Sequence, residues 1–328
     1  MTFEDRRFGR SDLRVSALGL GCWAIGGTAA VGGEPRGWAG VDDAEAVAAL
    51  HRAIELGVTL LDTADSYGAG HSERLLSTVL AAHPEVLVAT KFGNTFDEET
   101  RQLTGADTSP ARVRDALHAS LRRLGRDRID LYQLHTPDVD ERRAEELITA
   151  LEGFVAEGLI AWYGISTDDP AQATRFAAGA HCTAAQLQLS VLDDNAEMLA
   201  VCDRCDLAAL CRSPLAMGLL GGRYTAASVL PADDIRGQPP AWLRWFTDGR
   251  PNAEYLERVE AIRELLTADG RTVAQGAIGW IWARHSRTIP LPGFRNSAQA
   301  EENATALIRG ALAPEVYAAI NSVLERNA

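Results

Sequence analysis

Short apolar runs recur along the chain, and longer stretches of helical period separate them. The runs are SALGLG from Ser16, VTLLD from Val58, VLVATKFG from Val86, IDLYQLH from Ile129, IAWYGIS from Ile160, TAAQLQL from Thr183, DLAALCRSP from Asp206 and TIPLPG from Thr288. Their near-continuous apolar character suits parallel strands buried on both faces. Several of the intervening segments have recognisable ends. DDAEAVAALHRAIELG opens on acidic residues and stops at Gly57, as the helix dipole and glycine C-cap favour. SPARVRDALHASLRRLG offers Ser109 as N-cap and Pro110 at the first helical position, and stops at Gly125. A third helical stretch runs from Glu141 to Glu157 and ends at Gly158. Strand–helix alternation repeated eight times predicts an α/β fold of the (β/α)8 TIM-barrel type, with an open doubly wound sheet as the alternative. Residues 1–328 read as one barrel domain.

Two regions break the rhythm. RRFGRSDLRVS predicts a small hairpin that turns at Ser11-Asp12 and caps the bottom of the barrel. After the seventh strand, a long loop from Gly222 to about Asn252 carries Pro231, Pro239, Pro240, Trp242, Trp245 and Phe246. Loops of that length in a compact domain usually serve function. Their aromatic residues either line a pocket or pack over the barrel.

Composition narrows the partners. The 328 residues are 46% hydrophobic and 23% charged, with a net charge of −13, an ordinary globular balance. Nucleic acid and anionic membrane surfaces select clustered Lys and Arg, which this chain lacks. The first residues have no signal-like apolar core, and no apolar run reaches membrane-span length. The five cysteines, at 22, 182, 202, 205 and 211, are an odd, irregular set that suits a reducing cytosol. Cys202 and Cys205 form a CxxC, but no second pair accompanies it, so the spacing reads as incidental.

Active sites of α/β barrels sit where the strands end. There, the second run delivers Asp62 and then Tyr67, the third Lys91 and the fourth His135. Free tyrosine, with a pKa near 10, is a poor acid at neutral pH. An adjacent Lys91 ammonium would stabilise its phenolate, Asp62 would hold Lys91, and His135 would bond a substrate oxygen. The set contains no strong nucleophile and does not resemble a metal cage. It suits protonation of a carbonyl oxygen while a nicotinamide supplies hydride. Taken singly, each residue also has a structural reading: a buried ion pair, a turn cap or a hydrogen-bonded histidine.

LLDTADSYGAGHSERLL, VATKFG, SLRRLGRDRIDLYQLHTPD, ALEGFVAEGLIAWYGIS, SPLAMGLLGGRY and IPLPGFRNSAQAEENATAL resemble, in order, the signatures of the aldo-keto reductase family. The resemblance covers the chain from about Arg7 to Leu307. It implies a barrel, bound NADP(H), a small carbonyl substrate and a catalytic tetrad at Asp62, Tyr67, Lys91 and His135. It also places Trp23 near the nicotinamide, and Ser166 and Gln186 on its carboxamide. Ser213, Pro214, Leu215 and Arg223 would cover the pyrophosphate and ribose. Gly293, Arg295 and Gln299 would lie near the 2′-phosphate, and Glu302 and Asn303 would face adenine. Gln299 to Asn303 would stand at a helix start, which favours an anion. Three positions depart from the common pattern, one of them Leu159, where Lys is common and a surface role is expected. Leu189 aligns with an aromatic ring that many relatives place under the nicotinamide, and Thr167 stands where Asn or Arg is usual.

The stretch Gly19-Leu20-Gly21-Cys22-Trp23-Ala24 nearly spells a dinucleotide fingerprint, but that motif must open a helix, and a loop is expected here. One alternative stays within redox chemistry, reduction of a sugar-nucleotide intermediate or another biosynthetic ketone, and two other functions compete with reduction. A non-catalytic nucleotide-binding barrel, like the potassium-channel β subunits, would usually lack His135. A metal-dependent hydrolase would need clustered ligands that the scattered histidines do not provide. No metal and no obligatory protein partner is expected.

Overall fold

The computed structural model describes residues 5–136 and 138–325. Eight strands run parallel in one sheet: β1 Leu20–Gly21, β2 Leu60–Asp62, β3 Leu87–Phe92, β4 Ile129–Leu134, β5 Ile160–Ser166, β6 Cys182–Gln188, β7 Ala208–Arg212 and β8 Thr288–Pro290. Each pairs with its neighbours in chain order. The ring closes where Gly19 and Gly21 donate to the carbonyls of Pro290 and Pro292, both at 3.1 Å, and Gly21 bridges Gly293. A Cβ on Gly21 would lie 2.8 Å from the Leu291 carbonyl oxygen, so the seam needs glycine there. The fold is the expected (β/α)8 barrel.

Among the described residues ten α-helices surround the strands: α1 Asp43–Glu55, α2 His71–Ala82, α3 Pro110–Leu124, α4 Glu141–Ala156, α5 Pro170–Phe176, α6 Ala196–Arg204, α7 Ala253–Leu266, α8 Val273–Arg284, α9 Ser297–Arg309 and α10 Pro314–Val323. The sequence-level ends of α1, α3 and α4 lie within two residues of these bounds. Ser109 occupies the N-cap of α3 without a capping bond from its side chain, and Gly125 ends the helix in the left-handed region. The near-fingerprint at Gly19 leads only into one 3-10 turn, Ala24–Gly26, and not into a helix.

Side chains alternate across each strand with period two. Leu60, Ala89, Leu131, Ala184, Leu210 and Ile289 therefore point inward and form a buried interior layer. Leu61, Val88, Tyr132, Ile165, Leu187 and Cys211 point outward into the larger core under the helices. The expected hairpin is present, with Arg6–Arg7 paired to Arg14–Val15. Its Phe8 and Val15 join the interior layer, and Thr183 Oγ1 anchors the Phe8 carbonyl at 2.7 Å. The hairpin thus seals the N-terminal mouth.

The long loop divides its aromatics. Trp245 and Phe246 are buried, whereas Trp242 is 52% exposed at the opposite mouth. A second excursion had no sequence signal. A hairpin, Asn94–Asp97 with Gln102–Ala106, leaves β3 and pairs with Ala30–Val31 of the loop after β1. All five cysteines are free thiols. Among the described residues no helix is long and apolar enough to cross a membrane.

Candidate active site

The alternation that directs Leu60, Ala89, Leu131, Ala184 and Leu210 inward also directs the residues two places further on: Asp62, Lys91, Gln133, Gln186 and Arg212. They form a polar layer above the apolar one. Lys91 Nζ donates to the Asp62 carboxylate (2.6 Å), the Thr63 carbonyl (2.8 Å) and the Tyr67 hydroxyl (3.1 Å). Asp62 accepts at its other oxygen from Gln133 (3.1 Å) and Gln186 (2.8 Å). Its charge is thereby fully hydrogen-bonded, as a buried carboxylate requires. Tyr67 comes from the turn between β2 and α2. A Cβ on the neighbouring Gly68, at φ +59°, would meet the Gly26 carbonyl oxygen at 1.9 Å, so glycine allows this turn to pack against the first loop.

Burial raises the Tyr67 pKa, and Asp62 adds to the rise, while the Lys91 ammonium and its hydrogen bond oppose it. The expected net lowering by Lys91 is therefore not realised in this structure, because desolvation outweighs the cation. Burial would likewise depress Lys91, but Asp62, Tyr67 and the hydrogen bonds to both more than offset it, so its pKa is raised. His135 is pushed down to about 3 by burial, Lys91 and Arg212, which keeps it neutral. Asn94 Nδ2 lies 3.2 Å from His135 Nδ1. With that amide as donor, the imidazole proton resides on Nε2. The Tyr67 and His135 rings meet edge to face at 5.7 Å.

Tyr67, His135 and Asp62 border a cavity of about 600 Å³ at the C-terminal mouth. Trp23, Trp38 and Trp242 flank one side, with Trp23 stacked 5.8 Å from Tyr67 and edge to face with Trp38 at 4.6 Å. Ser166, Gln186, Ser213, Pro214, Leu215, Arg223, Gly293, Arg295 and Gln299 also line it. Lys91 lies behind Tyr67 with no exposure. Glu302 and Asn303 do not line the cavity. Asn303 is buried and donates to the Gly293 carbonyl (3.2 Å), and the Glu302 carbonyl accepts from Gln275. Only Gln299 stands in the first turn of α9, where its backbone N–H caps onto Asn296.

The segment after β7 is strained. Ser213, Ala216 and Met217 all have positive φ, between 47° and 56°, as does Gly218 at 92°. Such strain in non-glycine residues clusters at ligand clamps, and turned backbone N–H groups make anion concavities. Arg223 and Arg295 reach the same end and form no ion pair among the described residues. Arg295 donates to the carbonyls of Ala39 (2.6 Å) and Gly40 (2.9 Å), tying the first loop across.

Leu189 is corrected. It shares the outward parity of Leu187, is fully buried in the outer core and does not line the cavity. The residue in the inward layer at that level is Arg212, directly before Ser213. Thr167 does border the cavity, but its hydroxyl accepts from Asp169 N–H (3.0 Å). The residue-level reading also missed Gln133, Arg212, Asn94, Arg36 and Trp38. Strand parity could have found the first two; the others depend on loops without a pattern.

The model of the Aldo/keto reductase family matches residues 17–325. The chain belongs to the aldo/keto reductase family. This reductase is 30% identical over 321 residues to the aldo-keto reductase YhdN of Bacillus subtilis, covering 95% of this chain and 91% of that one. It is 29% identical over 316 residues to the Schizosaccharomyces pombe aldo-keto reductase yakc [NADP(+)], covering 94% and 87%. Among solved structures, a glycerol dehydrogenase of Gluconobacter oxydans matches with TM-score 0.83 and 30% identity over 99% of this chain and 96% of that chain. A Klebsiella pneumoniae aldo/keto reductase in complex with NADP and acetate matches with TM-score 0.70 and 25% identity over 99% and 96%.

Proposed function

We propose that this oxidoreductase uses NADP(H) to interconvert a small carbonyl compound and its alcohol, with Tyr67 as the general acid and base. The observation that carries the reading is the Lys91 ammonium bridging Asp62 at 2.6 Å and the Tyr67 hydroxyl at 3.1 Å, directly behind the wall of a cavity whose far end holds Arg223 and Arg295. The residues suit the dinucleotide. Two cations without a carboxylate partner among the described residues and a run of left-handed backbone suit its phosphates. The 2′-phosphate falls to Arg295 and Gln299, and the carboxamide to Ser166 and Gln186, whose side-chain oxygen is still free to accept. When bound, the nicotinamide supplies hydride to the carbonyl carbon.

The remaining chemistry belongs to the chain. Because Lys91 donates to the Tyr67 oxygen, the phenolic O–H is free to point at a substrate oxygen and to donate its proton there. As the proton leaves, the phenolate gains the ammonium 3.1 Å away as its counter-charge. The Asp62 carboxylate keeps that ammonium charged and aimed. Neutral His135, protonated on Nε2, would donate a second hydrogen bond to the same oxygen and orient it. Trp23, Trp38 and Trp242 exclude water from one side.

The test is NADPH oxidation with a panel of aldehydes, ketones and keto-sugars, using Tyr67→Phe as control. General acid catalysis contributes about 10²–10⁴-fold, so the variant should lose most of kcat while binding NADPH normally. Full kcat in the variant would remove Tyr67 from the reaction.

A further inference from the structure

Arg212 ends β7, two places beyond the interior residue Leu210. It borders the cavity together with Tyr67, His135, Ser166 and Gln186. Its guanidinium is held in place by two side chains. Nη1 donates to the Gln188 side chain at 3.0 Å, and Nη2 to the Asp168 carboxylate. Asp168 is itself fixed by Gln188 N–H (2.7 Å) and Asn195 (3.1 Å). Burial dominates at both neighbours, raising the Tyr67 pKa and lowering that of His135, and Arg212 adds a smaller downward influence at each, as a cation on the same cavity wall does.

Hydride transfer requires the reacting carbons about 3–3.5 Å apart, and the carbonyl oxygen is held by Tyr67 and His135. A bound nicotinamide would therefore lie beside these groups, on the side of the cavity that Arg212 borders. That ring is neutral when reduced and carries one positive charge when oxidised. A fixed cation close by disfavours the oxidised form and leaves the reduced form nearly unaffected.

We infer that Arg212 sets the redox preference of the cofactor site, holding NADPH in preference to NADP+ and so favouring carbonyl reduction and release of the spent cofactor. The inference rests on the placement of NADP(H) proposed above. A mere structural role for Arg212 would weaken both forms alike, because they differ only at the nicotinamide.

Equilibrium titrations with NADPH and with NADP+, followed by tryptophan fluorescence, give the ratio of the two Kd values. Wild type should bind NADPH more tightly. Arg212→Gln should shift the ratio toward NADP+ by roughly three- to tenfold, allowing for screening of a partly exposed charge. A tenfold shift corresponds to about 30 mV in the midpoint of the bound two-electron couple. Arg212→Lys, which keeps the charge, should stay near wild type. The double variant Arg212→Gln/Asp168→Asn should keep the shift, because it removes the carboxylate that Arg212→Gln alone would leave unpaired. An unchanged ratio in Arg212→Gln, an equal loss for both nucleotides, or a return to the wild-type ratio in the double variant overturns the inference alone. A wild type that binds neither nucleotide overturns the cofactor placement and this inference together.

Discussion

The two mouths of the barrel are built from the same strands and are opposite in character. At the N-terminal mouth, Phe8 and Val15 of the hairpin close over Leu60, Ala89, Leu131 and Ala184, and the layer is apolar and buried. At the C-terminal mouth, residues two places further along those strands are Asp62, Lys91, Gln133 and Gln186, joined by short hydrogen bonds around a cavity. One end gains free energy by removing apolar surface from water. The other places charges where desolvation opposes them, and holds them through mutual pairing. The contrast shows how this fold separates stability from chemistry along a strand of six or seven residues.

Lys91→Met should break the contrast most severely. It leaves Asp62 as a buried carboxylate without its cation, and loss of one partner of a buried pair costs about 3–5 kcal/mol. It also removes the counter-charge of the Tyr67 phenolate. Both denaturant stability and kcat should fall, and a variant with wild-type stability would mean that the polar layer rearranges at little cost. Phe8→Ala probes the other mouth. Removing a buried phenyl typically costs about 3–5 kcal/mol, while kcat/KM, measured well below the unfolding transition, should stay unchanged. A large loss of kcat/KM in the folded variant would show that the two ends are coupled.

Arg295→Ala sharpens the picture within the C-terminal mouth. A charged hydrogen bond contributes about 1.5–3 kcal/mol, so NADPH affinity should fall by roughly ten- to a hundredfold. Because Arg295 also ties down Ala39 and Gly40, NADH affinity should fall too, but by less. Kd values for both nucleotides decide this, and equal losses would assign Arg295 to loop anchoring alone.

The smallest effect is in the pH profile. His135, pushed down to about 3, stays neutral through the working range and should give no acidic limb in kcat/KM for reduction. Tyr67, raised above its ordinary value, must be protonated to act, so reduction should decline only as pH approaches its pKa from below. For folding the sign follows from proton uptake. Between pH 6.5 and about 3 the unfolded chain binds a proton at His135 that the folded chain refuses. This contribution to stability is complete above pH 6.5 and is lost as pH falls through that window. An acidic limb near pH 6 that disappears in His135→Asn would overturn the assignment of a neutral imidazole.

Much of the barrel was legible without coordinates, because buried parallel strands need continuous apolar runs and helices need caps. The candidate tetrad was legible for a related reason: a charged residue closing an apolar run has few places to be except the strand end. Leu189 shows where alignment by resemblance failed and a simpler rule would have succeeded. Counting by twos from Leu187 directs it outward, and counting by twos from Leu210 directs Arg212 inward. The long loop after β7 resisted both approaches. Trp242 and Trp245 are three residues apart in similar surroundings, yet one borders the cavity and the other is buried.

The sequence by itself determined the strand and helix order, the closed barrel and the concentration of Asp62, Tyr67, Lys91 and His135 at one rim. These depend on local periodicity and on strand direction, which the chain encodes within a few residues. Only the tertiary structure decided that Asn94 meets His135 Nδ1, that Asp62 is satisfied by glutamines from two other strands, that Arg295 clasps the first loop, and that burial outweighs Lys91 at Tyr67. Each of these depends on distances between segments far apart in the chain, and on how much water the assembled fold leaves around a charge.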